Sequence, residues 1–371
     1  MTLSNIVSIE KVLLLMSEKL SYASAGVDIN EGEAAVRSIK KIVEATSIDG
    51  VMSKIGGFGG LFDLSVLDMA EPVLVSSTDG VGTKAYLAGA LGSYKTIGID
   101  LVAMCVDDIA VLGARPLFLL DYLSVGKLDS NLALEIVGGI AEGAKAVGAA
   151  LIGGEMAEHP GSMTDGHFDL GGFVVGVVEK SKILGSHLVR AGDSLVAIES
   201  PNLRSNGFSL ARRALLGNAG DIDHGGNRDL FQTLVDAKPF DDGRTLGQIL
   251  MEPSVLYSPI LQELSKTIDI HAGAHITGGG IEGNLSRVLK DGERAIVKRD
   301  SWEIPPIFSL IQRSGAIDDD EMFRVFNMGV GMVLVIDHDQ RKEAIATIEL
   351  LGHRAYEIGS IESAAKGVEL R

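Results

Sequence analysis

One short segment combines the residue types that bind phosphate and a divalent cation. Residues 78–84 read Thr-Asp-Gly-Val-Gly-Thr-Lys and follow a predicted strand that ends at Ser77. Backbone amides around Gly80 and Gly82 can surround a phosphate, and Lys84 can neutralise its charge. Asp79 has the carboxylate that a divalent cation prefers. The spacing is not that of a Walker A loop, so a plain strand-to-helix turn remains an equal alternative.

Three carboxylates lie on an apolar helix predicted over residues 96–112. Asp100 and Asp107 share a helix face, because seven residues are close to two full turns, whereas Asp108 points about 100° away. A carboxylate in apolar surroundings is unfavourable unless it is paired or bound to a metal. We therefore expect at least one of the three to bind magnesium, with structural pairing as the alternative. The pattern does not distinguish Asp107 from Asp108.

Two further glycine-rich segments carry candidate ligands. Residues 153–161 place Glu155 and a second acid after a predicted strand, which favours a metal or nucleotide ligand over a charged surface turn. Residues 278–283 match G-x-G-x-x-G, but they lie deep in the second half of the chain, where the dinucleotide fingerprint is not expected. A phosphate at the following helix N-terminus is the better interpretation.

Other candidates are single polar residues and one more glycine cluster. His275 precedes the second glycine-rich loop and is either a hydrogen-bonded structural residue or a proton carrier. The segment 205–207, Ser-Asn-Gly, can contact a substrate or only cap a helix. Residues 57–59, Gly-Phe-Gly, allow the backbone to approach a ligand closely.

The elements that must position these residues form two mixed halves. Strands are predicted over 72–77, 116–123 and 168–178, with the helix 96–112 between the first two. The second half repeats the mixture and includes a predicted helix over 252–266. We expect an α/β protein of the α+β type, with one domain over 1–180 and another over 181–371, since a chain of 371 residues suggests two domains.

Composition excludes several classes of protein. The 50 acidic residues outnumber the 33 basic ones, for a net charge of −17. Binding to nucleic acid or to an anionic membrane surface through a broad basic face is therefore not expected. No stretch resembles a transmembrane helix. The single cysteine, Cys105, permits no intrachain disulfide, and we expect a cytoplasmic protein.

Taken together, these segments resemble the phosphoribosylformylglycinamidine cyclo-ligase family, also called aminoimidazole ribonucleotide synthetases. The resemblance runs in order along most of the chain. The matching segments are 21–22 with 25–28, 57–59, 77–84, 97–106, 153–155, 205–207, 275–280 and 326–332.

This resemblance implies a specific reaction and architecture. The family closes the imidazole ring of formylglycinamidine ribonucleotide with Mg²⁺ and ATP, giving aminoimidazole ribonucleotide, ADP and phosphate in purine biosynthesis. It also implies a homodimer in which the N-terminal sheets pair into a shared β-barrel, with the ATP-binding and dimerisation functions in the first domain.

The residues and the resemblance together give four sets of site predictions. The predicted ATP-binding residues are Gly57, Phe58, Gly59, Asp79, Gly80, Gly82, Thr83, Lys84 and Asp100. The predicted substrate-binding residues are Ser205, Asn206, Gly207, Thr277, Gly278 and Gly279. Asp79, Asp108 and Glu155 are the predicted metal ligands, and His275, Asp79 and Lys84 are the predicted catalytic residues.

The chain departs from the family pattern at a few positions. Ala23 stands where the family commonly has lysine, Met156 replaces a threonine and His159 a methionine. Arg204 occupies the place of a frequent histidine, and Asp107 that of an asparagine. Two alternatives remain open: another ATP-dependent phosphoryl-transfer enzyme of the same superfamily, which includes thiamine-monophosphate kinase, or a non-catalytic nucleotide-binding dimer.

Overall fold

Two separate β-sheets organise the chain in this computed structural model, which describes residues 21, 24–221 and 225–371. The first sheet contains four strands, β1 (Pro72–Gly80), β2 (Arg115–Val125), β3 (Ala150–Glu158) and β4 (Phe168–Glu179). Their order across the sheet is β1-β4-β2-β3. Strand β4 is antiparallel to both of its neighbours, and β2 and β3 are parallel.

Helices cover one face of this sheet. They are α1 (Ile29–Glu44), α2 (Lys84–Leu91), α3 (Lys95–Ala110) and α4 (Ser130–Ala146). Helix α3 lies on β1, β2 and β4, and α4 packs beside it. The two helices approach so closely that a Cβ atom on Gly139 would lie 1.9 Å from the carbonyl oxygen of Lys95. Only glycine fits there, and this contact fixes α3 against the sheet.

The opposite face of the first sheet carries exposed apolar side chains. Leu74 is 54% exposed, Tyr122 48% and Phe173 42%. The strand register places all three on the same face, since Leu74 pairs with Val177, and Gly171 and Phe173 pair with Tyr122 and Leu120. An apolar sheet face of this kind is typical of an interaction surface.

The second sheet contains six strands in the order β10-β7-β9-β5-β8-β6. Their bounds are β5 (Ser194–Glu199), β6 (Ile270–His275), β7 (Glu293–Val297), β8 (Val330–Ile336), β9 (Ala355–Ser363) and β10 (Gly367–Leu370). Strand β10 is parallel to β7, and the other neighbours are antiparallel. Strand β6 is therefore an edge strand, and its last residue is His275.

The helices of the second half are distributed around this sheet. Their bounds are α5 (Phe208–Leu216), α6 (Arg228–Asp236), α7 (Leu246–Leu250), α8 (Ser258–Leu264), α9 (Gly280–Leu285), α10 (Pro306–Gly315), α11 (Asp319–Val325) and α12 (Arg341–Leu350). Short 3₁₀ segments occur at Leu64–Val66, Lys180–Lys182, Gly217–Gly220, Ser286–Val288 and His338–Gln340.

The mixed α/β character expected from the sequence is confirmed, and most predicted elements differ only at their ends. One prediction was wrong: the helix expected over 252–266 begins only at Ser258, and residues 252–257 are irregular. Pro253 disfavours a helical residue before it, and amides of this segment bind side chains of α3 instead. The short strands β7 and β10 were not predicted.

The two sheets span separate parts of the chain, with the first ending at Glu179 and the second beginning at Ser194. The predicted boundary between 180 and 181 lies in this interval and stays a prediction. Among the described residues, no helix is long and apolar enough to cross a membrane.

Candidate active site

The loop after β1 contacts residues at and just before the start of α5, so two predicted ligand segments meet. Thr83 Oγ1 lies 3.0 Å from Ser209 Oγ. A Cβ atom on Gly82, whose φ is +55°, would lie 3.8 Å from the carbonyl oxygen of Ser205. Ser205 Oγ is buried and has no hydrogen-bond partner within the described residues. A buried hydroxyl without a partner is expected to have one in a ligand complex.

Lys84 is fully buried and does not reach solvent in this conformation. Its Nζ lies 2.6 Å from Asp100 Oδ2 and donates to the carbonyl oxygens of Arg204 and Glu252 at 3.1 and 3.0 Å. Asp100 in turn accepts from the backbone amide and hydroxyl of Ser254 at 2.8 and 2.6 Å. The pair therefore joins the loop after β1 to α3 and to the second half, and direct contacts of Lys84 or Asp100 with ATP stay predictions.

Asp107 also contacts residues of the second half of the chain. Its Oδ2 lies 2.7 Å from a terminal nitrogen of Arg204, and both side chains are fully buried. Its Oδ1 accepts from the amides of Tyr257 and Ser258 at the start of α8. Burial alone would lower the pKa of the Arg204 guanidinium, but the Asp107 carboxylate raises it above its usual value. Burial raises the pKa of Asp107, and the Arg204 guanidinium is the main group that opposes this effect. Both oxygens of Asp107 accept hydrogen bonds from the second half, so Asp107 is not free to bind a metal.

Asp108 has a different environment from its neighbour, because its side chain is 40% exposed. Its Oδ1 lies 2.8 Å from Nδ1 of His275, and its Oδ2 accepts from Ser77 Oγ at 3.0 Å. Burial raises the pKa of Asp108, but the hydrogen bonds with His275 and Ser77 outweigh this effect, and the pKa lies below its usual value. Asp108 is therefore an anion that faces open space.

Asp79 lies at the end of β1 on the same face as Ser77, toward α3. Its Oδ1 accepts from the following amide, that of Gly80, at 2.7 Å. Burial is the main reason that the pKa of Asp79 is raised above its usual value; the Gly80 amide opposes this effect and the negative charge of Asp108 adds to it. Two acids that repel each other are suited to share a cation.

A divalent cation at this position would have to use ligand oxygens besides protein carboxylates. Within residues 24–221 and 225–371, no group of three or more histidine, cysteine, aspartate or glutamate side chains is arranged to hold a metal ion. Asp79 and Asp108 are thus not joined by Glu155. Mg²⁺ commonly binds one or two carboxylates together with substrate phosphates and water, so the two acids fit a magnesium–phosphate site.

The loop after His275 is held by its own helix. Asn284 Nδ2 donates to the carbonyl oxygen of Gly280 at 2.8 Å and contacts those of Thr277 and Gly278 at 3.3 Å. Gly278 and Gly279 are exposed beside His275. Their amides are available to a ligand, as predicted for a substrate site, although this role stays a prediction.

A cavity of about 720 Å³ lies between α1, β3 and the loop 54–60. Predicted ligands Gly57, Phe58, Gly59 and Glu155 line this cavity, whereas the residues of loop 79–84 do not. The structure therefore divides the predicted ATP-binding residues between two places. One row of paired residues crosses the first sheet between these two places. Asp79 pairs with Gly172, Gly172 with Asp121, and Asp121 with Gly154.

Asp121 and Arg204 are the residues whose structural importance sequence reasoning missed. Asp121 lines the cavity and is only 8% exposed. Burial raises its pKa to about 7. Its place in the apolar run Leu119-Leu120-Asp121-Tyr122-Leu123 was the available signal. Arg204 was recognised only as a departure from a family pattern. Ala23, another departure, lies outside the described residues.

Comparisons with known proteins cover nearly the whole chain. The family model described as "AIR synthase related protein, N-terminal domain" matches residues 63–178, and the corresponding C-terminal model matches residues 190–370. A phosphoribosylformylglycinamidine cyclo-ligase of Desulfatibacillum aliphaticivorans is 47% identical over 352 residues, which is 95% of this chain and 97% of that protein.

Solved structures share the fold at much lower identity. A thiamine-monophosphate kinase from Stenotrophomonas maltophilia is 19% identical, with a TM-score of 0.61 over 90% of this chain and 95% of that one. The hydrogenase maturation protein HypE in complex with ATP is 18% identical, with a TM-score of 0.59 over 90% of this chain and 88% of that one. The matched models and the 47% identity over almost the full length show that the chain belongs to the AIR synthase related protein family.

Proposed function

We propose that this protein is an ATP-dependent phosphoribosylformylglycinamidine cyclo-ligase. It would close the imidazole ring of formylglycinamidine ribonucleotide and release aminoimidazole ribonucleotide, ADP and phosphate. The observation that carries the proposal is the 47% identity to a cyclo-ligase over 95% of the chain. Loop 79–84 contacts segment 204–209, and Arg204 of that segment contacts His275. These contacts support the proposal, since two substrates must be held together.

The chemistry explains why ATP is needed. An amide oxygen is a poor leaving group, so the ring cannot close by attack of the amidine nitrogen until that oxygen has been converted into a better one. Transfer of the γ-phosphoryl group to the oxygen does this, and the oxygen then leaves as part of phosphate. The protein contributes mainly by positioning the groups and balancing their charges.

Asp79 and Asp108 are the proposed carboxylate ligands of the Mg²⁺ that accompanies ATP. When bound, this ion neutralises the phosphates and orients them. The amides of Gly80, Gly82 and Thr83 lie on the same loop and would bind phosphate oxygens. HypE, which has the same fold, was solved in complex with ATP, and this supports ATP as the nucleotide here.

The large cavity is the proposed site for the rest of the nucleotide. Its volume lies in the range of small-molecule sites. Phe58 has a fully exposed ring beside this cavity, and Gly57 and Gly59 allow a ligand to approach the backbone. Glu155 lies here and would contact the nucleotide or a second cation, apart from Asp79 and Asp108.

The second substrate would lie nearer the C-terminal sheet. Ser205 offers a buried hydroxyl that has no hydrogen-bond partner in the described part of the chain, and Asn206 and Gly207 follow it just before α5. Thr277, Gly278 and Gly279 follow β6, next to His275. These segments are the proposed binding site for formylglycinamidine ribonucleotide.

Lys84 and His275 are proposed to act within this site. Lys84 Nζ touches three protein oxygens here, so its proposed contribution is to hold the phosphate loop and its charge near the nucleotide. Both ring nitrogens of His275 are also engaged. Proton transfer by His275 would require one of these contacts to open.

A homodimer is the proposed assembly. Leu74, Tyr122 and Phe173 form an exposed apolar face on a sheet that is otherwise covered by helices, and pairing of two such faces would bury it. A cytoplasmic enzyme of purine biosynthesis is consistent with the single, buried cysteine, Cys105.

The proposal is tested by measuring ADP release with formylglycinamidine ribonucleotide present and absent. A cyclo-ligase releases ADP only when the substrate is present, and one aminoimidazole ribonucleotide forms for each ADP. Release that does not depend on this substrate would favour a different phosphoryl-transfer enzyme. ATP binding without turnover under either condition would favour a non-catalytic nucleotide-binding protein.

A further inference from the structure

Two adjacent aspartates of α3 have opposite environments. Asp107 is fully buried and its oxygens receive hydrogen bonds from Arg204, Tyr257 and Ser258. Asp108 keeps 40% of its side chain exposed and, among the residues that the structure describes, receives hydrogen bonds from Ser77 and His275. One group of the second half contacts Asp107 directly and reaches Asp108 only through His275.

Arg204 is that group. Its backbone has a φ of +60°, an unusual value for a residue other than glycine. The guanidinium is fixed on several sides: one terminal nitrogen donates to the carbonyl oxygen of Val255 at 2.9 Å, and Cζ lies 4.6 Å from the centre of the Tyr257 ring. The other terminal nitrogen lies 2.7 Å from Asp107 Oδ2 and 3.2 Å from His275 Nε2.

This geometry determines the tautomer of His275. A guanidinium can only donate hydrogen bonds, so Nε2 must be the acceptor and carry no proton. The proton of the neutral ring is therefore on Nδ1, from which it is donated to Asp108 Oδ1 over 2.8 Å. The ring is 5% exposed and cannot turn without breaking both contacts.

Asp108 retains binding capacity after these contacts. A carboxylate has two oxygens, each with two lone pairs. One bond from His275 and one from Ser77 leave positions on both oxygens, on a side chain that is partly open. A histidine in such a contact fixes the orientation of a ligating carboxylate, as partners outside the ligand shell commonly do.

We propose that Arg204 is a positioning residue: it neutralises Asp107, fixes His275 as the Nδ1–H tautomer, and so holds Asp108 as the carboxylate that binds the cation of the nucleotide. The proposal rests on the proposed function for the identity of that nucleotide. Lysine cannot replace Arg204, because an ammonium group lacks the planar fork that reaches Asp107, His275 and the Val255 carbonyl together.

The tautomer is measured on the full-length protein without nucleotide, by NMR with both ring nitrogens of histidine labelled with ¹⁵N. His275→Gln identifies the signal among the eight histidines. The wild-type spectrum should show a protonated Nδ1 and an unprotonated Nε2. Arg204→Lys should shift the signal toward the other tautomer or to exchange between the two. The control Arg354→Gln removes an exposed arginine that pairs with Glu303, and should leave the signal unchanged.

A second readout measures binding of Mn²⁺ with a non-hydrolysable ATP analogue, by electron paramagnetic resonance. Arg204→Lys should weaken Mn²⁺ binding by about 10–100-fold, and Arg354→Gln should not. A protonated Nε2 in the wild-type protein would overturn the proposal, even if Arg204→Lys does not fold. Unchanged Mn²⁺ affinity in folded Arg204→Lys would also overturn it. An Nδ1–H signal together with a failure of ADP release would contradict the proposed reaction and support the positioning role of Arg204.

Discussion

Lys84 Nζ lies 2.6 Å from Asp100 Oδ2, and neither side chain reaches solvent. The contact joins the first residue of α2 to α3, and two backbone carbonyl groups from the second half complete it. A lysine expected to face a phosphate is thus a buried ion-pair partner between the halves. We expect the conformation of loop 79–84 to depend on this pair.

Lys84→Ala is expected to destabilise the protein strongly, because it leaves the Asp100 carboxylate buried without its counter-ion. Breaking a buried pair in this way typically removes about 3–5 kcal/mol of unfolding free energy. The double variant Lys84→Met/Asp100→Leu, which removes both charges, should recover much of the loss. Denaturant unfolding of the three proteins measures this. A normal midpoint for Lys84→Ala, combined with lost ATP affinity, would instead place Lys84 at a phosphate.

Asp79→Asn is expected to reduce turnover by orders of magnitude, with partial recovery at higher magnesium. The amide keeps the shape of the side chain but removes the charge that attracts the cation. Stability without ligand should change little or increase, since burial raises the pKa of Asp79 and so disfavours its charged form. Turnover as a function of magnesium, together with thermal unfolding, measures both effects.

The matched control for Asp79 is Asp169→Asn on β4. Asp169 is exposed and also accepts a hydrogen bond from the next amide, that of Leu170, at 2.9 Å. Asp169→Asn therefore reports the effect of that local bond alone and should leave the magnesium dependence unchanged. Normal magnesium-dependent turnover in Asp79→Asn would remove Asp79 from the cation site.

Asp121 should make the stability of the protein fall as pH rises. Its pKa is raised by burial from 3.8 to about 7, so between these values the folded state holds a proton that the unfolded state releases. Its stabilising contribution is complete below about pH 4 and is lost as pH rises through 7, with a slope of up to about 1.4 kcal/mol per pH unit. Asp121→Asn should reduce this slope and raise the unfolding midpoint at pH 8. Identical pH profiles for the variant and the wild type would contradict the buried, protonated carboxyl.

The dimer proposal predicts that a charge on the apolar sheet face prevents association. Phe173→Glu should convert a dimer at micromolar concentration into a monomer, as measured by light scattering, because the carboxylate would be desolvated in the interface. Leu350→Glu changes a side chain that is 88% exposed on α12 and should leave the dimer intact. A monomeric wild-type protein at the same concentration would contradict the proposal.

Local sequence patterns predicted the elements well, because their causes are local. The apolar runs that became β1, β2 and β4 and the long helix α3 were recognised from periodicity. The helix predicted over 252–257 was wrong because the contacts that determine this segment's conformation are distant in sequence. The amide of Ser254 binds Asp100, and that of Tyr257 binds Asp107. No pattern within that segment reveals these partners.

The sequence predicted which residue types belong to the candidate site. It could not predict which acidic side chain forms an ion pair with which basic one. Asp100 and Asp107 were grouped with Asp108 as acids of one helix, and only the fold shows that the first two are neutralised by Lys84 and Arg204. An ion pair between residues about 97 positions apart, such as Asp107 and Arg204, depends on how two sheets pack together. Burial of this kind is a property of the tertiary structure.

The most direct test of the account follows the oxygen atom that must leave during ring closure. Formylglycinamidine ribonucleotide is labelled with ¹⁸O at its formyl oxygen and incubated with the protein, Mg²⁺ and ATP, and the released phosphate is analysed by mass spectrometry. If this oxygen is phosphorylated before the ring closes, each phosphate should carry one ¹⁸O atom, with ADP and aminoimidazole ribonucleotide formed in equal amounts. Unlabelled phosphate, released whether or not the substrate is present, would contradict the cyclo-ligase account.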